Sequence, residues 1–179
     1  VGASTIVKYS VFNSTNNPLL VAAYGSGESG YANYIRAKMV RYPYSKGGII
    51  DEDGKGNTAK LIAVTYTDID GTTKPYFPAA NNAALFSVTG MTAGNWWLPA
   101  NREMYLLIKD AKLDNTDKVN MSLTAIGGDK VLASGYYPWC STECNSNIAW
   151  LCNGNYGLLD YGVKNYSYLV RPVTAFQIL

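Results

Sequence analysis

Apolar and polar residues alternate along several stretches of the chain. Alternation at every second residue predicts strands over residues 4–12 (STIVKYSVF) and 60–67 (KLIAVTYT), and the apolar run at 19–24 (LLVAAY) predicts a buried strand. Turn-forming residues at 13–18 and 70–71 follow two of these stretches. The first half of the chain therefore carries strand signals separated by polar turns.

A helical period appears around residue 101. Met104, Leu107 and Ile108 recur at helical spacing behind Pro99, which predicts a helix over residues 101–111. Three shorter helices and one loop rich in Gly and Asp are also predicted: helices at 31–40, 79–86 and 117–126, and the loop at 47–58. With no internal repeat and no low-complexity linker, the pattern predicts one α+β domain spanning residues 1–179.

The C-terminal tail, residues 135–176, follows neither period. Large residues suited to fixed packing, such as Trp139 and Trp150, are interleaved with an irregular mixture of Cys, Leu, Ile, Tyr, Asp and Gly. Regular burial imposes regular hydrophobicity, so the mixture indicates side chains selected for contact with a partner. Tyr, with 15 copies against 4 Phe, fits such a surface because it combines a stiff ring with a polar tip.

Composition narrows the function classes. The net charge is +2 and the basic residues form no run, so no nucleic-acid partner is expected. No segment is apolar enough to span a membrane. The chain has no His, the usual general base and the commonest metal ligand, so we expect no catalysis, no cofactor and no metal.

Two motifs hint at small ligands. The GSGESG run at 25–30 matches a dinucleotide-binding G-x-G-x-x-G pattern, with Asp51 near the position of a ribose-binding acid. The rest of the chain does not alternate strand and helix, which favours an ordinary Gly/Ser loop. Asp51, Glu52 and Asp53 could supply calcium ligands, but their spacing does not fit an EF-hand and favours a solvated turn.

The three Cys and Glu103 have simpler interpretations. The Cys spacing, C-x3-C-x7-C, would need a carboxylate to complete a zinc site, and free thiols on a contact surface explain it more simply. Glu103 could join Glu143 as an acid/base pair, but its place at the start of a helix is explained by capping and by the helix dipole.

A family resemblance begins at residue 96. The run Trp96-Trp97-Leu98-Pro99-Ala100, followed by Glu103, resembles the W-x-L-P-[S/T/A]-x-x-E signature of bacterial C-type-lectin-like domains of the Fibrobacter-paralogous kind. Residues 137–143, Ala149-Trp150 and 170–173 resemble the closing half of that domain. The tail is most similar to the variable proteins of diversity-generating retroelements in gut Bacteroidales and their phages.

The resemblance implies a C-type-lectin-like fold with two main helices, a small, mostly antiparallel sheet and long loops. It covers residues 95–179, with the variable region at 136–169, whereas residues 1–94 carry no motif of the family. In this family a reverse transcriptase corrupts template adenines, so AAC codons come to encode many residues but never Trp, Glu, Lys, Met or Gln. The anchors Trp139, Glu143, Trp150 and Lys164 fall outside that allowed set.

The resemblance assigns ligand contact to the tail residues that fall inside the allowed set. These candidate variable positions are Cys140, Cys144, Asn147, Ile148, Leu151, Cys152, Asn155, Tyr156, Leu158, Leu159, Asp160, Tyr161, Val163, Tyr166 and Tyr168. A scaffold tolerates arbitrary side chains only where they are exposed and where something else fixes the backbone. We therefore expect these residues to point outward, with Trp139, Trp150 and Arg171 as fixed anchors.

The function implied by the resemblance is non-catalytic binding of a macromolecular ligand, protein or glycan, on a cell or host surface. It places the protein on a phage tail tip or a bacterial cell surface, in an adhesion or receptor role. Three alternatives stay open: an enzyme-like domain of the formylglycine-generating type, which would need paired active-site Cys, a calcium-dependent sugar lectin, and a structural fimbrial or phage baseplate subunit.

Overall fold

The chain combines helices with antiparallel sheets, which makes the fold α+β. The computed structural model describes residues 7–10, 49, 51–67, 70–109, 118–127, 130–144, 148–164 and 166–175. The elements predicted at 19–24 and 31–40 and the glycine-rich run at 25–30 lie outside these residues.

The described elements are, in chain order, β1 (Val7–Ser10), α1 (Gly54–Ile62), β2 (Thr65–Thr67), β3 (Thr73–Pro75), α2 (Pro78–Leu85), α3 (Asn101–Ile108), α4 (Lys118–Ala125), β4 (Trp139–Glu143), β5 (Ile148–Asn153), β6 (Leu158–Val163) and β7 (Ser167–Val170). None of the helices in this part of the chain is long and apolar enough to cross a membrane.

The strands form three antiparallel sheets. Strand β1 pairs with β7, so the strand predicted at 4–12 is confirmed where it is described. Strand β2 pairs with β3, and β4, β5 and β6 form a three-stranded sheet in that order. Strands β5 and β6 keep one register from Ile148 opposite Val163 to Asn153 opposite Leu158. The register of β4 against β5 shifts between Trp139 and Glu143.

Two sequence predictions around helix α1 are wrong. Residues 54–58 were expected in a loop and residues 60–62 in a strand, but both belong to α1, and only Thr65–Thr67 is a strand. The Asp53 carboxylate starts the helix by accepting a hydrogen bond from the Gly56 amide at 2.9 Å. Gly54 serves close packing here, because a Cβ atom would lie 2.7 Å from the Ala100 nitrogen.

The helices predicted at 79–86, 101–111 and 117–126 are confirmed, at α2, α3 and α4. At the start of α3 the Glu103 carboxylate accepts a hydrogen bond from the Ala100 amide at 2.8 Å, as the capping interpretation predicts. Trp97 also donates its indole N–H to this carboxylate, at 3.2 Å. The W-x-L-P segment and the helix behind it are thus joined through one side chain.

The three-stranded sheet separates two apolar clusters. Successive residues of β5 point to opposite faces, so Ala149 and Leu151 join Trp139 and Val170 in one cluster. The opposite face carries Trp150, Cys152 and Leu159 against Met104 and Ile108 of α3. Strand β5 is therefore covered on both faces.

A buried polar network connects this sheet to the helices. The Asp51 carboxylate accepts hydrogen bonds from the Asn57 amide and the Thr142 hydroxyl, both at 2.7 Å. Thr142 accepts in turn from the Asn101 backbone N–H at 2.9 Å, and the Asp51 backbone N–H donates to the Asn101 side chain at 3.2 Å. Asp51 is buried and engaged within the fold, so the solvated turn expected at Asp51, Glu52 and Asp53 is wrong for Asp51, although Glu52 and Asp53 are exposed.

We expect Thr142→Val to destabilise the protein, because the isosteric change removes one hydrogen bond from each of two buried groups, the Asp51 carboxylate and the Asn101 backbone N–H. A hydrogen bond contributes about 0.5–1.5 kcal/mol, and one to a charged group about 1.5–3 kcal/mol. Thr142→Ser, which keeps the hydroxyl, should lose much less. Urea unfolding of both variants and the wild type measures the difference, and equal stability of the Val and Ser variants would show that the network contributes little.

Candidate functional site

Five large exposed side chains lie in one short segment after β5, and the other large apolar residues exposed in the described part of the chain are Leu85, Val88, Tyr105, Leu106, Met121 and Ile126. Tyr156 is 74 % exposed, Leu158 62 %, Tyr166 55 %, Tyr161 48 % and Val163 39 %. These five residues, here called the tail surface, lie on strand β6 and the turns that flank it. All five are candidate variable positions, so the expectation that they point outward is confirmed.

Five other candidate positions are buried, and the expectation that they face solvent is wrong. They are Cys140, Cys144, Leu151, Cys152 and Leu159. Cys140 lies on β4, which is buried at every residue, and Leu151 and Cys152 lie on β5, which is covered on both faces. Leu159 is only 8 % exposed beside the outward Leu158. Apolar contact inside the fold explains these residues.

The remaining candidates are partly buried, except Asn147, which lies outside the described residues. Ile148 packs beside the cluster around Trp150. Asn155 accepts a hydrogen bond from the Gly135 amide at 2.8 Å and donates to the Tyr137 hydroxyl. Asp160 accepts from the Asn153 amide at 3.3 Å. These side chains have structural contacts and also reach solvent.

Aromatic rings connect the tail surface to the core. The Tyr168 ring packs edge-on against buried Trp139, with ring centroids 4.9 Å apart. Tyr166 meets Tyr168 at 6.3 Å, and Tyr137 meets it at 5.9 Å. The exposed Tyr166 ring therefore packs against Tyr168, which in turn packs against the core. This contact restricts the conformational freedom of the Tyr166 side chain in the unbound protein.

The predicted anchors are buried. Trp139 is completely buried and Trp150 almost so, one in each apolar cluster. Arg171 donates from Nη2 to the Lys130 carbonyl at 2.8 Å, which confirms the fixed hydrogen bond expected of its guanidinium. These contacts hold the strands that bear the tail surface.

A buried ion pair adds an anchor that the sequence did not reveal. Lys164 Nζ lies 2.5 Å from Glu143 Oε1, and both side chains are buried. Glu143 ends β4 and Lys164 follows β6, so the pair bridges the two outer strands of the sheet across β5. The varied codons cannot encode Glu or Lys, which predicts that Glu143 and Lys164 are fixed positions. No pattern in the sequence predicts that they form an ion pair.

Glycines form a second group that sequence reasoning missed. A Cβ atom on Gly162 would lie 2.7 Å from the Tyr168 ring, 2.8 Å from Leu151 and 2.9 Å from Trp139. A Cβ atom on Gly154 would meet the Ala133 carbonyl at 2.7 Å. Both positions exclude any larger side chain, although they lie between residues that face solvent.

The three cysteines are free and buried. Burial is the largest cause that raises the pKa of Cys152 to about 12 and the pKa of Cys140 well above its ordinary value. The thiolate is therefore disfavoured at both positions, and with it nucleophilic reactivity. Within the described ranges, no group of three or more Cys, Asp or Glu could hold a metal ion.

Comparison with protein-family models, curated proteins and solved structures finds no match for this chain.

A matched pair of leucines tests the division between surface and interior. Leu159→Ala should cost about 2–5 kcal/mol of unfolding free energy, because it removes buried apolar contacts. Leu158→Ala, its neighbour on the same strand, should change stability by less than about 0.5 kcal/mol. Chemical denaturation of the two variants gives both values. Equal costs would mean that β6 does not present its side chains as the structure has them.

Thiol labelling tests the burial of the cysteines. At mildly alkaline pH, 5,5′-dithiobis(2-nitrobenzoic acid) should react slowly with the native protein, because all three thiols are buried and burial raises the pKa values of Cys140 and Cys152. All three thiols should react at once in concentrated urea. Rapid reaction of the native protein would instead favour the surface thiols expected from the sequence.

Proposed function

We propose that the protein is a non-catalytic binding protein whose tail surface contacts a macromolecular ligand. One observation carries the proposal: five exposed, mostly aromatic or branched side chains lie within residues 156–166, on a backbone fixed by buried anchors. Isolated exposed apolar residues need no explanation, but a cluster on one short segment is typical of an interaction site.

The chemistry of the tail surface suits protein or glycan contact. Tyrosine supplies a large contact area at a low cost in side-chain entropy, and its hydroxyl adapts to different polar partners. Tyr156, Tyr161 and Tyr166 would be the contact anchors. Val163 shares the face of β6 that carries Tyr161, and Leu158 extends from the opposite face. Asp160 and Asn155 would supply polar contacts at the margin.

The distribution of fixed and free positions supports a diversified surface of the retroelement type. Gly154 and Gly162 have no space for a side chain, and Glu143 and Lys164 form a buried pair. None of these four is a candidate variable position, whereas every residue of the tail surface is one. Variation confined to the exposed positions would leave the anchors intact.

The C-type-lectin-like fold is part of the same proposal. It is supported by the α+β arrangement and by the pairing of Trp97 with Val173, which joins the W-x-L-P segment to the closing motif of the tail. The proposed setting is a phage tail tip or a bacterial cell surface, where a binding surface that changes between lineages would follow changes in the host or its ligands.

Sequencing the DNA that flanks the gene tests this function. We expect a near-copy of the tail coding sequence beside a reverse transcriptase gene. In the copy, AAC codons should stand at the five tail-surface positions, while the codons of Trp139, Trp150 and Lys164 should match the gene. A flanking region without such a copy would contradict diversification. A copy whose adenines fall on the buried positions would contradict the surface assigned here.

A further inference from the structure

One face of strand β6 carries tyrosine rings together with carboxylate and amide side chains. Leu159 points to the cluster around Trp150, so Asp160 and Gly162 extend from the opposite face of the sheet. A Cβ atom on Gly162 would lie 2.7 Å from the Tyr168 ring, which places that ring on the same face as Asp160. The six residues of this cluster, here called the tyrosine face, are Tyr137, Asn153, Asn155, Asp160, Tyr166 and Tyr168.

The polar side chains of the tyrosine face hold one another in place. Asp160 accepts hydrogen bonds from the Asn153 side chain at 3.3 Å and from the Tyr161 backbone N–H at 2.8 Å. The Asn155 backbone N–H donates to the Asn153 side chain at 3.2 Å, and the Asn155 side chain donates to the Tyr137 hydroxyl. All four of these residues of the tyrosine face are only partly buried. A ligand would therefore meet polar groups that are already oriented, which lowers the cost of binding.

These groups can make further hydrogen bonds. Each carboxylate oxygen of Asp160 accepts one hydrogen bond and has a lone pair for a second. The structure gives the hydroxyls of Tyr166 and Tyr168 no hydrogen bond to another described residue. Burial is the first cause that raises the pKa of Tyr168, and the neighbouring Tyr166, Tyr137 and Asp160 add to it, so this hydroxyl stays protonated and can donate.

The tyrosine face has one charged member, the carboxylate of Asp160. Lys164, the nearest cation along the chain, is buried against Glu143. The cations that lie over aromatic rings in the described part of the chain are those at Trp97 and Tyr105, so no such contact covers these tyrosines. Asp160 would therefore repel an anion. An ammonium ion would use the carboxylate alone, because it donates hydrogen bonds but accepts none.

From this arrangement we infer that the tyrosine face binds a neutral pyranose unit of a glycan, an inference that rests on the proposed function and names the class of its ligand. The C–H side of the sugar ring packs against the exposed Tyr166 ring. Its hydroxyls, which both donate and accept, pair with Asp160, Asn153 and the Tyr168 hydroxyl. A protein partner fits this face less well, because Asp is depleted at the centre of protein interfaces.

NMR titration of the 15N-labelled protein with methyl β-D-glucopyranoside, methyl β-D-galactopyranoside and methyl α-D-mannopyranoside tests this site. We expect at least one of the three to shift the backbone N–H signals of Asp160 and Tyr168 saturably, with a dissociation constant of about 1 mM, because a single sugar makes few contacts. The shift should persist in EDTA, since these contacts need no metal. The methyl glycoside of N-acetylneuraminic acid, a pyranoside that carries a carboxylate, should cause no shift, because Asp160 repels it.

Three variants locate the sugar on this face. Tyr166→Ala should abolish the shift, whereas Tyr105→Ala, which removes an exposed ring from α3 instead, should bind like the wild type. Asp160→Asn keeps the rings and the shape of the side chain, and it should weaken binding about tenfold because a charge-assisted hydrogen bond becomes a neutral one.

Three results would overturn the inference: no saturable shift with any of the three neutral sugars, unchanged binding by Tyr166→Ala, or equal affinity for the anionic sugar. None of them contradicts the proposed function, which would then concern a protein ligand and which the DNA flanking the gene tests separately.

Discussion

The complete burial of strand β4 is the constraint on which the rest of this structure depends. Each of its residues makes a different fixed contact: Trp139 and Cys140 enter opposite apolar clusters, and Ser141 donates its backbone N–H to the Pro99 carbonyl at 2.8 Å. Thr142 reaches the Asp51 carboxylate and Glu143 reaches Lys164. A buried strand with two polar residues and one charge is costly unless these side chains find partners, and the partners they find hold the helices and β6 against it.

That constraint decides where the tail can vary. Strands β4 and β5 have no face left for solvent, so Cys140, Leu151 and Cys152 fill volume within the fold. Strand β6 is paired with β5 on one side in the described sheet and packs only part of its residues inward. The side chains able to change without a cost in packing are consequently the exposed ones of β6 and its flanking turns.

The sequence predicted the fold best where local chemistry decides it. The start of α3 has its own signals in Pro99, the helical spacing and Glu103, and these are the contacts observed. The prediction is wrong at α1. Alternation over residues 60–67 resembles a strand, and Asp53, which caps the helix, lies in a glycine-rich run that resembles a loop. The prediction is also wrong at β5, because a strand buried on both faces carries a continuous apolar run, and a run without alternation resembles an irregular surface. The Glu143–Lys164 pair depends on tertiary placement, which no local pattern contains.

The rigidity of the tail surface also bears on how it would bind. A flexible loop loses conformational entropy when it is ordered against a ligand, and that loss reduces affinity. Here Tyr161 and Val163 extend from a regular strand, and Tyr166 rests on Tyr168, which packs against Trp139. Folding has already ordered the backbone that carries these side chains, so binding would not have to order it again. New residues at the same positions would inherit a fixed backbone, so that each sequence variant presents a defined surface instead of an ensemble.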